Sequence, residues 1–159
     1  MDMEEKTIKA LKWVVNILED MKIPFQIGGG FAAIMYGVNR PLADIDIILP
    51  TDDLPRLRER VMEYITYDLK RYKDEKWDVV GMTIGYEGQE IDLAGAQGKK
   101  IFDEKTNVWV NLENDFSKNE YRKVAGIKIP IVSREYLVFY KKILLRDVDL
   151  EDLRGMKEI

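Results

Sequence analysis

Residues 27–50 read IGGGFAAIMYGVNRPLADIDIILP, and the two aspartates near the end of that run decide the fold. PFQIG (24–28) reads as a short strand that delivers the chain to Gly28, Gly29 and Gly30. FAAIMY (31–36) follows as a short helix, with Gly37 just past its end. VNRPLA (38–43) is a connecting loop in which Pro41 biases Arg40 away from helix. DIDIILP (44–50) is then a strand rich in β-branched residues and stopped by Pro50. Side chains alternate faces along a strand, so Asp44 and Asp46 share one face while Ile45 and Ile47 share the other. Aspartate is depleted in strands, and two like charges repel by about 1 kcal/mol at 4 Å in water, more where water is scarce. A purely structural strand gains nothing from that arrangement. A divalent cation between the carboxylates removes the repulsion, and ligands that offer only oxygen favour Mg2+, Mn2+ or Ca2+.

VVGMTIGYEGQEIDLAGA (79–96) reads as a hairpin with Gly88 in its turn. In its second strand Ile91 and Leu93 face one way, and Glu90 and Asp92 the other. If this strand lies beside residues 44–49, Asp92, or in second place Glu90, completes an acidic cluster. Three carboxylates on adjacent strands suit a two-metal phosphoryl-type transfer. The glycines fit the same chemistry. Gly28, Gly29 and Gly30, set between a strand and a helix, let backbone N–H groups approach an anion closely. The loop is not a Walker A sequence, because no Gly-Lys-Ser/Thr follows, and it is not the dinucleotide fingerprint.

Composition narrows the chemistry further. The chain has 159 residues, 46% apolar and 34% charged with both signs interspersed, which is the make-up of one globular domain over 1–159. There is no cysteine and no histidine. Disulfides, thiolate catalysis, Ser-His-Asp triads and histidine-ligated zinc are all excluded. A net charge of −4 argues against generic duplex DNA binding, which depends on neutralising phosphates. The N-terminus lacks the apolar core of a signal peptide, and no run is long enough for a membrane span, so a cytoplasmic location is expected.

The remaining segments give an α/β (α+β) pattern. Residues 4–21 form an amphipathic helix through Ile8, Leu11, Val14, Val15, Leu18 and Met21. TDDLPRLRERVMEYI (51–65) is a second, with Thr51 or Asp52 as its cap. Residues 67–78 are charged and aperiodic, a turn or short strand. NVWVNL (107–112) is a strand, YRKVAGIKIPIV (121–132) a hairpin around Gly126, SREYLVFYKKILL (133–145) a helix capped by Ser133, and DVDLEDLRGM (147–156) a final short helix. The tryptophans and tyrosines are expected as packing groups.

GGGFAAIMYGVNRPLADIDI (28–47) resembles the nucleotidyltransferase superfamily related to DNA polymerase β. That signature is an apolar residue, Gly, then Gly or Ser, roughly a dozen residues, then Asp-apolar-Asp/Glu. Gly29 and Gly30 match its glycine pair, Asp44 and Asp46 its metal-binding pair, and Asp92 its third, more variable carboxylate. Arg40 stands where many members place an arginine. SREYLVFYKKILLRDVDLEDL (133–153) is similar to the closing segment of the bacterial and archaeal branch that includes abortive-infection toxins and antibiotic nucleotidyltransferases. Lys141, Arg146, Asp149 and Asp152 occupy that branch's lysine, arginine and D-x-x-D positions. Residues 95–130 carry no such motif.

The resemblance implies a nucleotidyltransferase-like mixed sheet with helices packed against it. It implies transfer of a nucleoside monophosphate from an NTP such as ATP to an acceptor hydroxyl on a small molecule, an RNA end or a protein. Asp44, Asp46 and Asp92 would hold Mg2+ or Mn2+. The glycine loop would hold phosphates, with Lys141 or Arg40 neutralising developing charge. Two alternatives stand beside this: the toxin half of a toxin–antitoxin pair, and a silent fold that only binds nucleotide or a partner. A homodimer or an antitoxin-like partner could supply a wall that a single small domain lacks.

Overall fold

The computed structural model describes residues 3–159; the first two residues of the expected domain lie outside the described residues. Helix α1 (Glu5–Asp20) buries Ala10, Leu11, Val14, Val15, Ile17 and Leu18, leaving Ile8 and Met21 at the edge of its apolar stripe. Strand β1 (Gln26–Gly28) leads directly into α2 (Gly29–Met35). The aspartate strand is β2 (Asp44–Leu49), and α3 (Leu54–Val61) follows it between 3-10 turns at Thr51–Asp53 and Met62–Tyr64. Neither expected residue caps α3: Thr51 Oγ instead donates to the Gln97 carbonyl at 2.9 Å and accepts from the Gln97 N–H at 3.0 Å.

Strands β3 (Ile65–Lys73), β4 (Trp77–Tyr86), β5 (Gln89–Gly95), β6 (Lys100–Asp103) and β7 (Val108–Asn111) come next. The β4–β5 turn has Glu87 and Gly88 both at positive φ, the mirror-image turn that fits the twist of a tight hairpin. Strands β8 (Glu120–Val124) and β9 (Ile127–Ile131) form the second hairpin, and α4 (Arg134–Leu144) and α5 (Asp147–Gly155) close the chain. Ser133 caps α4 as expected, accepting from the Tyr136 N–H at 3.1 Å. Among the described residues no helix is long and apolar enough to cross a membrane.

Among the described residues nine strands join one mixed sheet in the order β7-β6-β4-β5-β2-β1-β9-β8, with β3 on the other edge of β4. Strand β2 is central, antiparallel to β1 and parallel to β5. Its register sets Asp44 opposite Glu90 and Asp46 opposite Asp92. On the reverse face Ile45, Ile47, Ile91 and Leu93 are buried in the core. Helix α1 covers that face, tied to it by a buried hydrogen bond from Thr7 Oγ1 to Gln89 Oε1 at 2.6 Å. On the carboxylate face α2 packs on β1 and β2 and meets α4, which packs on α5 and β6.

Of residues 67–78, expected as a turn or short strand, 77–78 open β4, 74–76 connect, and 67–73 belong to the nine-residue strand β3. Most of its side chains are exposed, so it has no apolar alternation to betray it; it is held by backbone pairing to β4 and by an Arg71–Asp78 ion pair at 2.6 Å. The short strand β6 was not anticipated; it pairs with Trp77 and Asp78 at the start of β4, before the stretch that β5 takes.

Candidate active site

The parallel pairing of β2 with β5 brings the acidic face together. Carboxylate oxygens of Asp44, Glu90 and Asp92 all lie within 4.8 Å of one another. Thr83 Oγ1 on β4 donates to Asp92 Oδ1 at 2.8 Å. The expected set of Asp44, Asp46 and Asp92 thus shares one strand face, but the tightest trio contains Glu90, the alternative to Asp92. Glu90 was harder to single out in the sequence because Asp92 offers the same alternation and sits opposite Asp46.

Asp46 lies against the glycine loop. A Cβ added to Gly29 would fall 1.9 Å from Asp46 Oδ2, and Gly29 has φ +56°. Side-chain space and backbone conformation both require glycine there. Burial, then Asp44 and Asp92, push the Asp46 carboxyl up to about 8, with Lys141 and Arg146 pulling the other way. Burial and a hydrogen bond with Asp44 raise Asp92 to about 7, against the lowering effect of Thr83. The cluster therefore carries more negative charge than its surroundings neutralise.

The expected cations occupy a different arrangement. Arg40 lies over Gly30, where a Cβ would meet its Nη2 at 2.7 Å. Its Nε and Nη2 donate to the two oxygens of Asp152 at 2.7 and 2.9 Å. Lys141 is buried, its Nζ 3.1 Å from Asp149 Oδ1 and 2.8 Å from Asp152 Oδ2. Arg146 donates from Nε and Nη2 to Asp149 at 2.7 and 3.0 Å. Burial alone would raise Asp149 and Asp152, but hydrogen bonds and charge from Arg146, Arg40 and Lys141 hold both below the usual carboxylate range. The D-x-x-D pair is thus an anchor for three cations that border the site.

These groups surround one cavity of about 550 Å3, bounded by Gly28, Gly29 and Gly30, by Arg40, Asp44, Asp46 and Asp92, and by Lys141 and Arg146. That volume lies within the range of small-molecule sites. Aromatic side chains form much of the remaining wall: Tyr67, Tyr72 and Trp77 from β3 and β4, and Tyr136 and Tyr140 from α4. Trp77 meets Tyr140 edge-on at 6.1 Å, and the Arg146 guanidinium stands 5.7 Å from the Trp77 ring centre. Trp77 was expected only as packing; its place on the wall depends on the β3–β4 pairing, which no local pattern announces. Lys99 also lines the cavity and was not singled out, since nothing in QGKKIF separates it from Lys100.

The fold is shared with nucleotidyltransferases of known structure. A Thermotoga maritima protein described as a nucleotidyltransferase superimposes with a TM-score of 0.75 at 19% identity, over 99% of this chain and 96% of that one. The lincosamide antibiotic adenylyltransferase LnuA, solved with lincomycin bound, gives 0.62 at 16% identity, over 99% and 98%. ANT(2'')-Ia, solved in complex with adenylyl-2''-tobramycin, gives 0.61 at 19% identity, over 94% and 85%. No curated protein matches in sequence. The aminoglycoside-2''-adenylyltransferase family model matches residues 10–156, and the chain belongs to that family. It is accordingly an enzyme of the nucleotidyltransferase class.

Proposed function

We propose that this enzyme is metal-dependent and transfers a nucleoside monophosphate, from ATP in the first instance, to a hydroxyl of a small acceptor. The observation that carries the reading is the convergence of Asp44, Asp46 and Asp92 in one cavity with the glycine loop, with Glu90 within 4.8 Å of Asp44 and Asp92. The residues fit a hard divalent cation: the donors are all oxygens, and the raised Asp46 and Asp92 carboxyls reveal negative charge without a counter-ion. Mg2+ or Mn2+ held there would neutralise the nucleotide phosphates and lower the pKa of the acceptor hydroxyl.

The chain's own groups supply the rest. Asp92, whose Oδ1 accepts from Thr83, would take the hydroxyl proton on its other carboxylate oxygen. The acceptor oxygen then bonds to the α-phosphorus as the bond to the leaving pyrophosphate breaks. Gly29 and Gly30 let the backbone approach the phosphates, and Arg40 and Arg146 present charge at the cavity wall. The acceptor would rest on the aromatic wall of Tyr67, Tyr72 and Trp77. Among the lining residues the only carboxylates are Asp44, Asp46 and Asp92, so a neutral or weakly charged ring suits the wall better than a polycation.

The test is incubation with α-labelled ATP and a panel of acceptors that includes lincomycin and tobramycin, with and without EDTA. Transfer of label that needs metal and disappears in Asp44→Asn supports the reading. Label transfer that survives EDTA or Asp44→Asn would refute it.

A further inference from the structure

We infer that Lys99 contacts the nucleotide, its ammonium standing ready for the triphosphate; this rests on the nucleotidyl-transfer reading above. Lys99 ends the loop between β5 and β6, is only 4% exposed and lines the cavity. Among the described residues its ammonium makes no hydrogen bond and no ion pair, and it lies 5.4 Å from the centre of the Tyr136 ring. Arg40, Lys141 and Arg146, which border the same cavity, each bind a carboxylate of α5. Lys99 differs from all three.

The loop holds this unpartnered charge in place. Three hydrogen bonds between Thr51 and Gln97, at 2.8, 2.9 and 3.0 Å, tie its start. Gly98 N–H donates to Glu113 Oε2 at 2.8 Å, and the Lys99 carbonyl accepts from the Leu112 N–H at 2.8 Å. The backbone therefore fixes where the side chain enters the cavity.

Among the described residues no buried side-chain nitrogen or oxygen lacks a partner, so the unpartnered Lys99 ammonium opens on the cavity, where its charge favours an anionic partner that arrives with the ligand. Burial lowers its pKa to about 7, with Asp46 opposing the shift. Lys99 lines the same cavity as Asp46 and the glycine loop. A triphosphate seated along that loop brings the anionic oxygens that the ammonium lacks.

Three ligands separate the possibilities: α,β-methylene-ATP, inorganic tripolyphosphate and AMP, each titrated calorimetrically with Mg2+ into wild type, Lys99→Met and Lys99→Arg. Lys99→Met should weaken the ATP analogue and tripolyphosphate by about 10- to 100-fold and AMP far less, with partial recovery in Lys99→Arg. Its ligand-free Tm should not fall, because the ammonium holds no protein partner among the described residues, and Mn2+ binding alone should stay close to the wild-type value. Wild-type affinity of Lys99→Met for both polyphosphates would overturn the assignment and leave the broader reading standing. Equal loss of all three ligands with a fall in Tm would show a structural lysine instead. A wild-type protein that binds none of the three would sink the nucleotide reading itself.

Discussion

Replacing Asp46 with Asn should stabilise the metal-free protein while destroying its chemistry. The Asp46 carboxyl rises from 3.8 to about 8, chiefly by burial and then by its acidic neighbours Asp44 and Asp92, despite the opposing charges of Lys141 and Arg146. Below about pH 4 both the folded and unfolded chains hold the proton, and the group leaves stability unchanged. As pH climbs, the unfolded chain releases that proton while the folded one keeps it, so folding loses about 1.4 kcal/mol per pH unit up to about 8. At pH 7 the accumulated loss is about 4 kcal/mol, and water entering the cavity relaxes part of it, leaving about 2–4 kcal/mol. Asparagine has nearly the same shape, fits beside Gly29 and carries no charge. The substitution should therefore raise Tm by roughly 4–16 °C at pH 7 for a chain of this length. The assay is differential scanning calorimetry in EDTA at a series of pH values from 4 to 8. A Tm for Asp46→Asn at or below wild type at pH 7, or a gain that does not shrink toward pH 4, would refute the reasoning.

Stabilisation of the wild type by Mn2+ should follow the same protons in reverse: large at pH 8 and mostly lost by pH 5.5, since Asp46 at about 8 and Asp92 at about 7 must release protons to bind the ion. A thermal-shift titration across that range checks it, and a pH-independent shift would count against these carboxylates as ligands. Asp152→Asn takes a buried charge from both Arg40 and Lys141, so urea denaturation should show a loss of about 3–5 kcal/mol. Gly29→Ala should cost at least about 1–2 kcal/mol from its left-handed backbone alone. It should also cut transferase activity far more than its folded fraction falls, because the new methyl must displace the Asp46 carboxylate.

The centre of this fold was readable because its signals are local and chemical. A strand that breaks the rules with Asp44 and Asp46, preceded by Gly28, Gly29 and Gly30, has few structural explanations, and alternation alone put Glu90 and Asp92 on the matching face. Which of those two lies closer to Asp44 was not readable, because it depends on the β2–β5 register, a contact between segments more than forty residues apart. Strand β3 escaped for the opposite reason: it lies along the outer edge of β4 with most of its side chains in solvent, so burial imposed no pattern on it. Lys99 and Trp77 look ordinary in sequence and acquire meaning only when β3 and β6 pair with β4. The capping residues divide the same way. Ser133 kept its local role, whereas Thr51 was recruited by Gln97 from the end of the neighbouring strand β5.

Two acidic groups in this protein, one buried and one half-buried to exposed, have opposite charge balances, and the contrast separates scaffold from site. Asp149 and Asp152 on α5 are surrounded by Arg40, Lys141 and Arg146, and their pKa values are held down. Such a cluster is complete without a ligand, and it fixes α5 and the cavity rim against the sheet. Among the described residues Asp44, Asp46, Glu90 and Asp92 make no ion pair, and the shifts of Asp46 and Asp92 run upward although Lys141 and Arg146 oppose that of Asp46. Lys99, with its free ammonium, is unbalanced in the other sense. An isolated apo protein gains no stability from either imbalance. A cation on the carboxylates and a polyphosphate against Lys99 would relieve both together, and a metal–nucleotide complex brings those two charges as one ligand.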